Sequence, residues 1–271
     1  MAMTFFRWLL AILILAPFVL PRFARDWPAI RRSWKIMLFL GATGVAAQNA
    51  LMYLGLNYTT ATNGVVLNPF IPVMIIAMSW LFLREPLSAM QLAGVVVSLA
   101  GVLAIVAQGS WDVLASLRLN GGDLLVILSM VMWSVYTICL RRGPRAVDPL
   151  TFLFVLACIG DLCIFPLFVA EFAFGRRMTP TVANLGALVS VALFASVLAY
   201  ICWSHGVERV GANVAGLFIH LMPVFGVALA WIFLDERLHP YHVAGIALIL
   251  TGIWIMSRRG RGRVRMPAGL E

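Results

Sequence analysis

The chain carries very little charge. Of its 271 residues, 11% are charged, against about 25% in an ordinary soluble domain. That is too few to coat a globule in water, so a soluble fold is excluded. Acids are the scarcer kind, 11 in all, and every one except Asp161 falls in a loop, a turn or the end of an apolar run. A membrane-embedded enzyme, such as a lipid-modifying transferase, needs convergent carboxylates, a nucleophile or a metal near one interface. No such constellation is visible, and no catalytic residue is expected. The four cysteines, Cys139, Cys158, Cys163 and Cys202, all lie inside apolar runs. They read as small packing residues, not as a disulfide framework. His205, His220, His239 and His242 are scattered over three helices and a turn, so no metal is expected. No Gly-Lys-Ser/Thr loop is present, which argues against direct ATP drive. No cofactor is expected.

What fills the chain is hydrocarbon. Hydrophobic residues make up 62% of it, and the mean hydropathy is +0.97. Apolar runs of about 20 residues recur, the length that crosses roughly 30 Å of bilayer core. The class is an all-α integral membrane protein, with the lipid bilayer as its first partner. Nine spans are expected, near Phe5–Leu20, Ile36–Leu56, Thr62–Leu83, Ala89–Ala107, Leu124–Leu140, Leu150–Phe172, Ala183–Gly206, Asn213–Leu234 and Val243–Met256. The first resembles a signal peptide at Ala16-Pro17, but the basic segment from Arg22 to Lys35 opposes translocation, so a retained helix is expected. The connections leave no room for a soluble domain.

The net charge of +9 does not indicate nucleic-acid binding; no nucleic-acid partner is expected. Counted by side of the membrane, the loop Arg22–Lys35, Arg84, the loop Arg141–Arg145, Arg209 and the tail Arg258–Arg265 hold fifteen basic residues. The other side holds four: Arg118, Arg176, Arg177 and Arg237. By the positive-inside rule the C-terminal tail is cytoplasmic, in a cell (inner) membrane.

A repeat organises the chain. Residues 62–106 match residues 213–257, 151 positions later, with 12 identities in 45 ungapped positions. Pro72 pairs with Pro223, Trp80 with Trp231, Glu85 with Glu236, Gly94 with Gly245 and Gly101 with Gly252. A period this long marks a duplicated multi-helix unit. Five crossings separate the copies, and an odd number inverts the second, the arrangement found in secondary transporters. The expected divisions are a first repeat of four helices (1–107), a connecting loop (108–123), a second repeat of five helices (124–257) and a basic tail (258–271). Span Leu124–Leu140 has no counterpart in the first copy, so a helix preceding Met1 is expected in the complete gene product.

Several segments resemble a known family. Trp80-Leu-Phe-Leu-Arg-Glu-Pro-Leu, Gln91-Leu-Ala-Gly and Leu99-Ala-Gly resemble the EamA domain of the drug/metabolite transporter superfamily. Trp231-Ile-Phe-Leu-Asp-Glu-Arg-Leu, Val243-Ala-Gly and Leu250-Thr-Gly are similar in the second copy. Ser129-Met-Val-Met-Trp-Ser-Val-Tyr-Thr-Ile-Cys-Leu-Arg-Arg resembles the start of the family's second domain, and Thr4-Phe-Phe-Arg-Trp-Leu-Leu-Ala its second helix. The resemblance implies a ten-helix inverted-repeat fold, here lacking the first helix, and export of amino acids, other metabolites or drugs. Alternatives weighed beside an exporter are a non-transporting partner subunit, as a homodimer or heterodimer, and the membrane enzyme above.

Polar groups inside a membrane are costly and therefore mark candidate sites. Trp133, Tyr136 and Thr137 stand at i, i+3 and i+4, on one helix face. Aromatic faces with a polar handle suit a small organic solute. Asn49 and Tyr53, beside Gln48, form a second face, and Ser196, Tyr200 and Ser204 a third, with helix–helix hydrogen bonds as the competing role. Asn68, Pro69 and Pro72 stand opposite His220 and Pro223 in the other copy, and His220 joins Trp133, Tyr136, Thr137, Asn49, Tyr53, Tyr200 and Ser204 as an eighth candidate for lining a substrate cavity. Pro69, Pro72 and Pro223 are candidate hinges, since a proline kinks a helix and frees a carbonyl one turn back. Asp161 reads as a structural or proton-coupling carboxylate, and Glu85 and Glu236 as capping residues.

Overall fold

A computed structural model describes residues 1–85, 88–115, 120–175, 181–234 and 237–258. Pro86, Leu87, Arg118, Arg176, Arg177, the Asp235-Glu236 turn and the tail beyond Arg258 lie outside the described residues. Among the described residues nine helices are long and apolar enough to cross a membrane. They are α1 (Ala2–Arg32), α2 (Trp34–Leu56), α3 (Asn63–Leu83), α4 (Ala89–Val106), α5 (Gly121–Arg142), α6 (Pro149–Ala173), α7 (Val182–Val210), α8 (Ala212–Phe233) and α9 (Pro240–Ser257). No strand occurs among them. Helices are the rule here because hydrocarbon offers no partner for a bare N–H or C=O. The side chains turned outward confirm the solvent: Leu13 is 60% exposed and Phe233 75%, while Arg7, Asn49, Asp123 and His220 are buried.

The first helix departs from expectation. It runs eleven residues past Pro21, through Pro28 to Arg32, and so takes up most of the stretch read as a basic loop. Asp26 supplies the reason. Its carboxylate is 2% exposed and accepts from Arg25 Nε at 3.1 Å and from the Asp148 amide at 3.2 Å. Asp148 in turn caps α6 by accepting from the Leu150 amide at 2.9 Å. Two acids thus sit at the positive end of α6, where helix amides and dipole favour them.

The chain forms two compact units, and neither coincides with one sequence copy. The first comprises Met1–Gly64 and Leu119–Arg209, the second Val65–Arg118 and Val210–Glu271. Helices α1, α2, α5, α6 and α7 build the first. Antiparallel α1 and α6 pair along their length, from the Ala2 amide on Glu171 through Phe5 stacked on Phe168 at 4.6 Å to Asp26 at Asp148. Helix α5 opens on a capping box at Asn120 and Asp123. Buried Asp123 also ties down the turn after α2, accepting from Thr59 at 2.5 Å and Asn63 at 2.9 Å. Glycines set the spacing of α2: a Cβ at Gly41 would meet Ile159, at Gly44 the Tyr136 ring, and at Gly55 the Gly122 carbonyl.

The second unit is built from α3, α4, α8 and α9. Its core is the antiparallel pair α4 and α9, whose backbones meet at glycines. A Cβ on Gly94 would stand 2.7 Å from the Gly252 carbonyl, and one on Gly101 would stand 2.6 Å from the Gly245 carbonyl. Without a hydrophobic drive between helices, such close approach is what membrane packing relies on. Replacing Gly101 by Leu is therefore expected to force the pair apart and cost about 1–3 kcal/mol. A thermal-unfolding midpoint in detergent unchanged from wild type would refute this.

Candidate functional site

The helices that carry the candidate residues are not regular. Helix α2 contains a π-helical turn at Gly41–Ala47, and α7 one at Val191–Leu198. Helix α3 tightens to a 3-10 turn at Asn68–Phe70, and α8 does so at Phe218–Leu221. Each pair recurs at the 151-residue offset of the sequence repeat, to within a residue. Distortions of this kind collect at functional sites.

In the first unit the α2 distortion organises an aromatic cluster. Its carbonyls receive side-chain donors: Tyr200 Oη donates to Gly44 O at 2.8 Å, and Asn49 Nδ2 donates to Val45 O at 2.8 Å. Asn49 and Tyr200 are themselves 151 residues apart, as are Tyr53 and Ser204. The Tyr200 hydroxyl lies close to Asn49, Arg7 and Tyr53. Trp8 meets Tyr200 edge-on at 5.0 Å between centroids, Trp133 meets Tyr136 at 5.2 Å and Tyr200 at 5.5 Å, and Trp203 joins Trp133 at 5.4 Å. Trp203 Nε1 donates to Thr137 Oγ1 at 3.3 Å. Tyr136 is fully buried, its hydroxyl turned toward Ser204 without reaching hydrogen-bond geometry. Trp133, Tyr136, Thr137, Asn49, Tyr53, Tyr200 and Ser204 thus share one neighbourhood. Ser196 does not contribute a polar face, because its hydroxyl turns back to Val191 O at 3.4 Å.

Three members of this cluster go unnoticed in a reading of polar faces alone. Arg7 is 7% exposed, donates from Nη2 to Asn49 Oδ1 at 2.5 Å and lies 5.3 Å from the Trp8 ring centre. Its signal is in the sequence, a lone cation inside the first apolar run. Trp8 carries no separate signal beyond being its neighbour. Trp203 is legible too, since Tyr200, Trp203 and Ser204 repeat the i, i+3, i+4 spacing of Trp133, Tyr136 and Thr137.

His220 belongs elsewhere. In the second unit it is fully buried, with Nδ1 2.7 Å from Ser98 Oγ and Nε2 2.8 Å from Pro69 O. A carbonyl only accepts, so Nε2 carries a proton, and a neutral ring then accepts the Ser98 hydroxyl proton at Nδ1. Pro69 and His220 are again 151 residues apart. They line a cavity of about 680 Å³, together with Asn68, Ile219, Pro223, Arg237, His239, Tyr241 and His242 among others. Pro72 and Pro223 lack the N–H that would bond the carbonyl four residues back. Those carbonyls belong to Asn68 and Ile219, both of which line the cavity. Among the described residues that line it none is acidic. Asp161 stands apart, 5% exposed in α6 with Oδ1 unpartnered. Glu85 accepts from Ser79 Oγ at 3.0 Å. Among the described residues no three His, Cys, Asp or Glu side chains converge as a metal site would require.

The model of the EamA-like transporter family matches residues 1–107 and 120–258. "Uncharacterized transporter YyaM" of Bacillus subtilis (strain 168) is 27% identical over 246 residues, covering 88% of this chain and 76% of that protein. An "Uncharacterized transporter" of Archaeoglobus fulgidus is 26% identical over 257 residues, covering 95% of this chain and 87% of its own. The "Probable terminal-alkyne amino-acid exporter" of Streptantibioticus cattleyicolor is 25% identical over 242 residues, covering 89% and 77%. A solved crystal structure aligns with a TM-score of 0.76 at 19% identity over 95% of this chain and 88% of that one, which shows a shared fold.

The hydroxyl of Tyr200 spans two helices. Tyr200→Phe is expected to lower stability by about 0.6 kcal/mol, the mean for a hydrogen bond within a membrane protein. A thermal-unfolding midpoint in detergent at or above that of wild type would contradict the bond.

Proposed function

This chain belongs to the EamA-like transporter family, and on that premise we propose that it works as a secondary exporter of a small amino-acid-like or amphipathic solute. It is a multi-pass membrane transporter. The observation that carries the finer reading is the packing of register-equivalent helices. Offset by 151 residues, α1 corresponds to α6 and α4 to α9, and each pair runs antiparallel. Equivalent elements inverted in this way support two states in which the halves, residues 1–107 and 124–257, exchange roles around a midplane site.

The site residues take their roles from this reading. Trp133, Tyr136, Thr137, Asn49, Tyr53, Tyr200 and Ser204 offer rings and polar handles to the solute. His220 braces the second unit at Pro69, and Pro69, Pro72 and Pro223 are the positions where helices bend. The excess of basic residues on one side supports a cytoplasmic C-terminus in the cell membrane. The name of the Streptantibioticus relative supports an amino-acid-like cargo. No ATP-binding loop competes with ion- or gradient-driven transport.

The test compares metabolites in the medium of cells overproducing the wild-type chain or Tyr136→Ala. A specific solute is expected to accumulate outside with wild type. Losing one aromatic contact of about 0.5–1.5 kcal/mol then weakens its apparent affinity roughly two- to twelvefold. If both chains reach the membrane and neither changes the medium, the exporter reading fails. Pro72→Ala and Pro223→Ala are expected to slow the same flux several-fold at unchanged membrane levels. Wild-type rates in both would remove the hinge assignment.

A further inference from the structure

Arg7 is a cation that the fold encloses without neutralising. Its guanidinium is held on one side by Asn49 and on another by the Trp8 ring. The Asn49 amide has only one workable orientation, because Nδ2 is engaged with Val45 O and Oδ1 therefore faces Arg7. Position and plane of the guanidinium are thus fixed in advance. Yet Nε is buried and has no partner, and among the described residues no ion pair involves Arg7. The remaining basic residues of this unit sit toward helix ends or in turns: Arg22, Arg25, Arg31, Arg32 and Lys35 toward the α1–α2 junction, Arg141 and Arg142 in the last turn of α5, Arg145 in the turn beyond it, and Arg209 at the end of α7.

A planar guanidinium with an unpartnered Nε is matched by a planar carboxylate, which takes Nε–H and a neighbouring Nη–H side-on. One isolated cation suits one negative charge; a dianionic phosphate would leave a charge unmatched. The ring of Trp8 beside the guanidinium, the nearby Tyr200 and, against Tyr200, Trp133 suit an apolar body attached to that carboxylate. We infer that Arg7 is the anchor for the carboxylate of the transported solute, with Asn49 as the residue that positions the guanidinium. The inference rests on the exporter reading for its cargo and deepens it from an amino-acid-like or amphipathic solute to a monocarboxylate-bearing one.

The test uses the full chain purified in detergent and a fixed panel: 3-phenylpropionate, L-phenylalanine and the primary amides of both. Thermal-unfolding midpoints are followed against ligand concentration. The two acids are expected to raise the midpoint and the two amides to leave it unchanged. Arg7→Gln, which removes the charge, is expected to weaken the acid response at least about 30-fold, the low end for losing one partner of a buried charge-assisted pair. Arg7→Lys keeps the charge but not the planar fork and is expected to need about tenfold more acid. It replaces Arg7→Gln if that variant does not purify as a folded species. Amides as effective as acids, acids as effective on the variants as on wild type, or no acid response in wild type would each overturn the assignment. The two readings separate cleanly. Export of a solute that lacks a carboxylate, unaltered by Arg7→Lys, leaves the exporter standing and removes Arg7 from the site. An Arg7-dependent acid response without any exported solute does the reverse.

Discussion

In hydrocarbon every backbone N–H and C=O must find its partner inside the protein, and the rest of this structure follows from that constraint. It makes the chain helical, and it also prescribes what happens where a helix departs from regularity. The π-helical turn of α2 exposes carbonyls at Gly44 and Val45, and Tyr200 and Asn49 donate to them. The 3-10 turn of α3 presents the Pro69 carbonyl, and His220 donates to it. Three of the side chains that look like ligands for a solute, Asn49, Tyr200 and His220, are therefore already engaged with backbone. A polar residue in a span has two employments, and only the donors left over after the backbone is satisfied remain open to a guest.

The same constraint explains the role of the repeat. A distortion inside a membrane frees backbone groups that need partners, and here the distortions recur in both copies while the donors gather on the first copy's turns. Asn49 returns as Tyr200, a different side chain at the same register, and both face the α2 turn. Pro69 returns as His220, and the two bond to each other. Gly94 and Gly101 return as Gly245 and Gly252, and the four pack crosswise. Register-equivalent helices that meet antiparallel can exchange environments without inventing new contacts. The alternating access proposed above draws on such an exchange.

Much of this is legible in the sequence. The nine spans follow from hydropathy because apolar length is a local property, and eight of them lie within a few residues of the observed helices. The exception is instructive. Arg22 to Lys35 reads as a loop because its charges are visible, whereas the contact that keeps it helical, Asp26 on the α6 terminus, joins residues 122 positions apart. The aromatic cluster is legible as helix faces, since Trp133, Tyr136 and Thr137 share a side whatever they touch. Which faces meet is not legible: seven of the eight candidates gather in one unit, while His220 lies in the other. The compact units themselves draw helices from both copies, a consequence of long-range packing that no period in the sequence announces.

Arg7 shows where polarity and stability part company. Arg7 stands five residues after the start of α1, and a lone charge inside a membrane helix is costly, up to about 3 kcal/mol at the centre on the insertion scale. A nearby carboxylate would offset much of that, and the first unit contains one that is equally unsatisfied. On the antiparallel register of α1 and α6, in which Phe5 meets Phe168 and Ala2 meets Glu171, Asp161 lies opposite Ile12. That is five residues, or about 7 Å, along the axis from Arg7. A shift of little more than one turn would have paired them, and folding alone favours such a pair over two unpartnered groups. Keeping them apart leaves a guanidinium Nε and a carboxylate oxygen without partners inside one five-helix unit. Residual polarity of this kind has value only in a state where something else completes it. A solute that presents a carboxylate to Arg7 binds the state in which that group is accessible more tightly than any state in which it is sealed. Such a difference in affinity is what a bound solute needs in order to shift a conformational equilibrium.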